Sequence, residues 1–408
     1  MRRGADAPGV VGPVRPMSWA PGDRPDGTPV VAVLAPRWEA RSEEGWLVRQ
    51  VAGALACAAE VHVITPDGRK PETTRDGVFT LHRLGTPLDR AAERRRDLLV
   101  SALGQSAPAP AAGTPGVSAL LDRDLTDGWA AATGVLDRIR PDRVVIAGHT
   151  SLGALAAVEA AAGEVPVGLL VLGSDLTSAA FPHFAPLFAR ADVILVATET
   201  EGAAIAAAHG CADRVRRIGA PLSTNLSALS EPNPWVGPSG YVLVLTTADV
   251  EDDDPQVELS RLVRLRFPER PVGLCYTDGF FVWHEGRLNR GWPVERSSDM
   301  ARLLAWARVV VDLDPGTLIA RRCVESLLYG TPIVVGAGTR AREHAQRGGG
   351  GLWFDDPAEL LWGVEALLDD DAHAAFSAQG QAYAEDEYGS TDRFVERVTS
   401  ACRIAAAS

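Results

Sequence analysis

The stretch from Met300 to Gly351 constrains the fold of this chain more than any other. Two short apolar runs, Val309–Leu313 and Pro332–Val335, flank a helical segment whose acidic residue is Glu325. A strand, a polar turn, a helix and a second buried strand make a βαβ unit. Parallel strands need such a crossover, so one unit commits its surroundings to a layered α/β sheet. In sheets of this kind ligands sit where strands end and helices begin.

The rest of the chain repeats the alternation. Val30–Pro36 reads as a buried strand and RWEARSEEGW as a loop. Trp46–Ala58 reads as a helix with Leu47, Val48, Val51 and Leu55 at helical spacing. Glu60–Pro66 is a second strand and Phe79–Leu84 a short third one. Further on, Pro141–Gly148 and Val165–Gly173 are strands around a helix over Ser151–Ala162. VILVAT is another buried strand, ETEG opens a helix, and Val215–Leu222 is a last short strand. The pattern then restarts with strand Tyr241–Thr247, helix Pro255–Phe267 and strand Pro271–Thr277; FFVWHEG is a further strand candidate. Helices follow over Met300–Ala307, Asp356–Leu368, Asp371–Tyr388 and Asp392–Ala405. ARADVILVATETEG in the first half echoes AWARVVVDLDPGT in the second. About six βα units per half, twice, imply an α/β fold of two facing, doubly wound, Rossmann-like domains.

Length agrees, since 408 residues exceed one ordinary core. A net charge of −13 argues against nonspecific binding of nucleic acid or an anionic membrane. One stretch runs the other way. Pro87–Leu103 reads as a helix with Arg90, Arg94, Arg95 and Arg96 close together, a solvated face or a patch for an anionic acceptor or peripheral membrane contact. Gly104–Gly116 is a low-complexity loop, and Val117–Arg138 a helix. The five cysteines are scattered without a CxxC pair, which points to a reducing, cytoplasmic setting with no metal site and no disulfide framework. No window reaches the length of a membrane helix. Residues 1–28 carry arginines but no apolar core of a signal peptide and read as a disordered tail, with Met1 or Met17 as the start. Abundant Ala, Arg, Gly and Pro with scarce Lys matches bacterial high-GC coding.

Three stretches carry a resemblance to a known family. RPDRVVIAGHTSLGALAA, ARADVILVATETEG and CVESLLYGTPIVVGAGTRAREHAQRGGGGLWFDDPAEL resemble, in order, segments of the family 4 type of GT-B glycosyltransferases. The last match is the longest and the most specific. The resemblance implies a GT-B fold with a cleft between the domains, and transfer of a sugar from a nucleotide-diphosphate sugar with retention of configuration. It implies an acceptor domain over residues 29–226 and a nucleotide-sugar domain over 241–388; the stretch between them, 227–240, is rich in Pro, Ser and Gly and reads as the linker. Residues 389–408 would form a helix packing back on the N-terminal domain. The nucleotide sugar is a substrate, and no cofactor or metal is implied.

Residue by residue, Glu325 matches the carboxylate that accepts hydrogen bonds from ribose hydroxyls, and Gly330 the helix terminator with φ > 0. Glu343 matches a later family Glu, and Gly348–Gly351 the glycine turn after it. Gly316, Thr317 and Leu318 occupy the sugar-facing turn, with Thr317 where the family has a first Glu. Leu318, Ile319 and Ala320 replace the usual Gly-Phe-Gly. Thr246 and Thr247 stand near a family Arg that neutralises the diphosphate, and Glu251, Asp252, Asp253 and Asp254 where a Lys is expected. Compensating cations are Arg321 or Arg322, or Arg340 and Arg342. On the acceptor side Glu44 and Gly45 replace a Gly-Gly pair. His149 and Asp175 are the candidate catalytic polar groups.

The missing Glu, Arg and Lys motivate a second reading, a GT-B protein that binds a ligand or partner without catalysis. Two other classes fail. GHTSLG has His149 where a nucleophile elbow needs Gly, and no GxGxxG follows the first strand.

Overall fold

The computed structural model describes residues 28–36, 38, 43–66, 70–85, 129–148, 152–172, 184–224, 240–246, 255–276, 279–284, 287–290, 297–313 and 320–404. The expected tail (except residue 28), the Pro87–Leu103 helix, the Gly104–Gly116 loop and the 227–240 linker (except Gly240) lie outside the described residues. By its contacts the chain divides into two units, one over Pro221–Thr391 and one that combines the preceding strands with Asp392–Ser408.

The first unit is an eight-stranded sheet in the order β3-β4-β2-β1-β5-β6-β7-β8. Its strands are β1 (Val30–Leu34), β2 (Glu60–Thr65), β3 (Glu72–Asp76), β4 (Phe79–Arg83), β5 (Arg143–Ala147), β6 (Val167–Leu170), β7 (Val193–Val196) and β8 (Val215–Arg217). All neighbours are parallel except β3 and β4. β1 and β7 are buried along their whole length, as runs apolar on both faces require. The helices are α1 (Glu43–Ala56), α2 (Ala132–Ile139), α3 (Leu152–Ala162), α4 (Ala185–Arg190) and α5 (Glu199–His209). One core joins Ala32, Leu34, Val144 and Ile146 of the sheet to Leu136, Val158, Leu187 and Ile205 of the helices. α5 is punctuated at both ends: the Thr198 side chain accepts from the Glu201 N–H, and Gly210 closes the helix at φ 63°. The C-terminal helix α12 (Thr391–Ala401) groups with this unit from Asp392 onward.

A polar chain with a buried histidine pair at its centre ties the sheet edge together. Thr73 Oγ1 meets His82 Nδ1 at 3.0 Å, His82 Nε2 meets His62 Nδ1 at 2.9 Å, and His62 Nε2 meets Glu60 Oε1 at 3.0 Å. One arrangement satisfies all of it with both rings neutral: Thr73 donates to His82, His82 to His62, and His62 to Glu60. Burial first, then the charges of His62 and Arg138, hold the His82 imidazole down to about 4.

The second unit is a seven-stranded sheet in the order β12-β11-β10-β9-β13-β14-β15. Its strands are β9 (Tyr241–Leu245), β10 (Val272–Tyr276), β11 (Gly279–His284), β12 (Arg287–Arg290), β13 (Ala307–Asp312), β14 (Ile333–Gly336) and β15 (Gly351–Phe354). β10 through β15 across β9 are parallel, and β11 and β12 add an antiparallel edge. The helices are α6 (Pro255–Arg266), α7 (Ser297–Trp306), α8 (Arg321–Leu328), α9 (Ala341–Gly348), α10 (Pro357–Leu368) and α11 (Asp370–Glu387). On one face Val244, Leu274 and Val311 pack with Val263 of α6 and Leu360 and Val364 of α10. On the other, the Tyr241 hydroxyl donates to the Leu303 carbonyl of α7 at 2.6 Å, and Cys323 of α8 reaches Asp312 of β13.

The structure departs from the sequence reading at several elements. α1 begins at Glu43, so Glu44 and Gly45 form its first turn and not a loop. Two acids at the positive end of the helix dipole favour that earlier start. β3 and β12 pair in antiparallel hairpins that no apolar run announced. Gly351 opens a strand rather than closing a glycine turn. A Cβ there would lie 2.3 Å from the Ile333 carbonyl oxygen, so the glycine permits close pairing of β14 with β15. Gly330 ends α8's turn at φ 75°, as expected. Among the described residues no helix is long and apolar enough to cross a membrane.

Candidate functional site

In the second unit β9 and β13 are neighbours, yet β9 runs on to β10 on one side and β13 to β14 on the other. This is the topological switch point, the place where a doubly wound sheet opens a crevice at its carboxyl edge. Register fixes what lines it. Cys275, Leu245, Asp312 and Val335 form one row across the four strands. Residues in one row point to the same face, here the face that carries α8.

α8 is held over that row from both ends. Cys323 donates its thiol to Asp312 Oδ2 at 3.0 Å, and both residues are buried. At the far end the Ser326 hydroxyl donates to the Thr331 carbonyl at 2.9 Å, and the Thr331 hydroxyl to the Leu304 carbonyl at 2.9 Å. Cys323, Val324, Leu327 and Leu328 are buried, which leaves Arg321, Arg322 and Glu325 on the partly open side. The residue before the helix, Ala320, is left-handed at φ 49° and ψ 48° and supplies no capping side chain. For a residue with a Cβ that conformation costs roughly 1–2 kcal/mol.

Two predicted residues meet here. Arg321 Nε donates to Glu325 Oε1 at 2.7 Å, across one helical turn, with the side chains 33% and 17% exposed. The pair aligns the Glu325 carboxylate along the helix while engaging only Oε1. Thr246 is buried at the end of β9, where its N–H donates to the Cys275 carbonyl at 3.0 Å and its hydroxyl to Gln256 Oε1 of α6. It therefore seams β9 to α6. Burial pushes the Cys275 thiol up, opposed by the charge of Arg322.

Other expected groups go elsewhere. Glu343 is buried on α9, where Arg347 donates to it at 3.2 Å while also reaching Glu387 of α11 at 3.8 Å. Arg342 lies over the Trp353 ring at 5.3 Å, and Arg340 is buried. In the first unit Glu44 is half-buried and Gly45 buried in the first turn of α1. His149, Asp175, Thr247, Gly316, Thr317 and Leu318 lie outside the described residues. Asp312 and Cys323 were not singled out from the sequence. The i to i+4 spacing of Arg321 and Glu325 was the signal available for their pairing.

No family model matches the sequence, and no curated protein matches it. Solved structures do. The chain is similar to sucrose-phosphate synthase from Thermosynechococcus elongatus, with a TM-score of 0.60 at 13% identity over 92% of this chain and 98% of that one. It is similar to α,α-trehalose 6-phosphate synthase from Burkholderia multivorans, with a TM-score of 0.64 at 15% identity over 92% and 99%. A third likeness is to HepE from Anabaena in complex with UDP and glucose, at a TM-score of 0.59 and 13% identity over 92% and 99%. The fold is GT-B. Within a GT-B fold the second unit is the doubly wound half whose switch point carries α8, Glu325 and the two arginines.

Proposed function

We propose that this protein is a glycosyltransferase that takes a sugar from a nucleotide-diphosphate sugar and passes it, with retention, to an acceptor hydroxyl. The observation that carries the reading is the β9/β13 switch point, where α8 aligns Glu325 at the sheet's carboxyl edge. A carboxylate there can accept from both hydroxyls of a ribose, and its Oε2 is the oxygen that Arg321 leaves to it. The likeness to HepE, a structure in complex with UDP and glucose, supports the same choice of substrate class. As the sugar leaves, charge builds on the departing phosphate, so the site must supply fixed donors and a cation.

A second reading is a protein that binds the nucleotide without transfer. Thr317 in place of the sugar-facing acid favours it. One experiment separates the two. Titration with UDP, GDP and ADP should raise the melting temperature for one of them, and UDP-, GDP- or ADP-sugars should then be hydrolysed slowly in the absence of acceptor. Nucleotide binding without any turnover selects the second reading. No thermal shift with any nucleotide defeats both.

A further inference from the structure

The sequence leaves the diphosphate without its expected cation and offers several replacements; the structure discriminates among them. Resting on the donor-site reading above, we propose that Arg322 is the residue of this chain that binds the donor's diphosphate.

The argument begins with what the other cations do. Arg321 is engaged by Glu325 at 2.7 Å. Arg347 is engaged by Glu343 at 3.2 Å and lies 3.8 Å from Glu387. Arg342 stacks on Trp353 and donates to the Ala337 carbonyl at 3.4 Å. Arg340 is buried, 5% exposed. Arg322 differs from all of them. It is half-buried beside the switch point, and among the described residues no carboxylate pairs with it. It directly precedes Cys323, whose thiol reaches Asp312 at the carboxyl end of β13, opposite Leu245 at the end of β9.

Its position is also costly. A cation in the first turn of a helix faces the positive end of the dipole, which disfavours it there. α8 carries two arginines there and no acid in that turn. Glu325 pairs with Arg321, whereas no described carboxylate pairs with Arg322. A half-buried guanidinium with no pairing carboxylate among the described residues, at a ligand crevice, is explained by an anion that arrives with the ligand. The planar guanidinium can take two phosphate oxygens at once. With Thr246 buried and its hydroxyl engaged by Gln256, Arg322 on the α8 side of the crevice is the group that would meet the diphosphate.

The test compares the full-length protein with Arg322→Gln, Arg322→Lys and Arg321→Gln. Calorimetric titration with UDP, GDP and ADP is repeated with the matching nucleosides and at two salt concentrations. The expected result is a roughly ten- to hundredfold loss of diphosphate affinity in Arg322→Gln, partial rescue by Lys, and unchanged nucleoside affinity. The wild-type affinity should also fall more steeply with salt than that of Arg322→Gln. Arg321→Gln should instead weaken nucleoside and diphosphate together, through Glu325. The unliganded melting temperatures of the Arg322 variants report that they are folded. Wild-type-like diphosphate binding by a folded Arg322→Gln would overturn the assignment and leave the donor-site reading intact. Absence of nucleotide binding by the wild type would overturn both.

Discussion

At Ala320, as at Arg140 and Arg403, sequence preference and backbone conformation disagree. Ala320 holds φ 49° at the start of α8, a conformation for which glycine carries no Cβ penalty. Strain of this kind persists where surrounding structure over-determines it, and it clusters at ligand sites. Here the surroundings are known: Cys323 anchors the next turn on Asp312, and the Cys323 and Val324 N–H groups both donate to the Ala320 carbonyl. Replacing Ala320 by Gly relieves the Cβ contact while making the unfolded chain more flexible, two effects of opposite sign. The relief is the larger, so Ala320→Gly should gain about 0.5–1 kcal/mol in a urea titration. A loss of stability would mean that the left-handed turn is not strained. None of this was legible in the sequence, because an alanine gives no hint of a positive φ. The helix behind it was legible as the crossover between the two apolar runs, with Glu325 as its acidic residue.

At the scale of elements, the buried runs such as VVAVL and VILV were readable because they are apolar at every position. The hairpins were not. β3 is ETTRD and largely exposed, so neither alternation nor hydrophobicity marks it. What fastens β3 to the sheet is its antiparallel pairing with β4, joined by the chain from Thr73 through His82 and His62 to Glu60. That chain has a pH signature. His82 titrates at about 4 in the fold and at 6.5 without it. Between those values the unfolded chain binds more protons than the folded one, so stability is full above 6.5 and falls as pH drops toward 4. The decline should be on the order of 2 kcal/mol, read as a shift in the urea midpoint. His82→Asn, which hydrogen-bonds without titrating, should flatten the slope across that window. An unchanged slope would show that other groups dominate acid sensitivity.

For the whole molecule, the repetition of βα units and the restart near Tyr241 were enough to expect two doubly wound halves. The edges of the sheets were not readable, since they depend on contacts between separate strands, whereas the Arg321–Glu325 and Arg347–Glu343 pairs lie at the i to i+4 spacing of one helical turn. The GT-B fold and the proposed donor site together make a regional prediction. Adding the nucleotide that binds should slow amide exchange in residues 240–246 and 320–328, while β1 to β8 of the first unit change little. Protection confined to the first unit would move the donor to the other half of the chain.

The five cysteines, all free, are distributed across this architecture. Cys211 and Cys402 are buried in the first unit, and Cys275 and Cys323 in the second. Burial raises the pKa of Cys211, of Cys275 and of Cys402, the last to about 11. A thiol reacts through its thiolate, so these three are silent toward alkylating reagents until the surrounding chain opens. The protein thus carries its own chemical clocks. The rate at which each cysteine takes up a label measures how often its half of the molecule opens, without a probe being added to either.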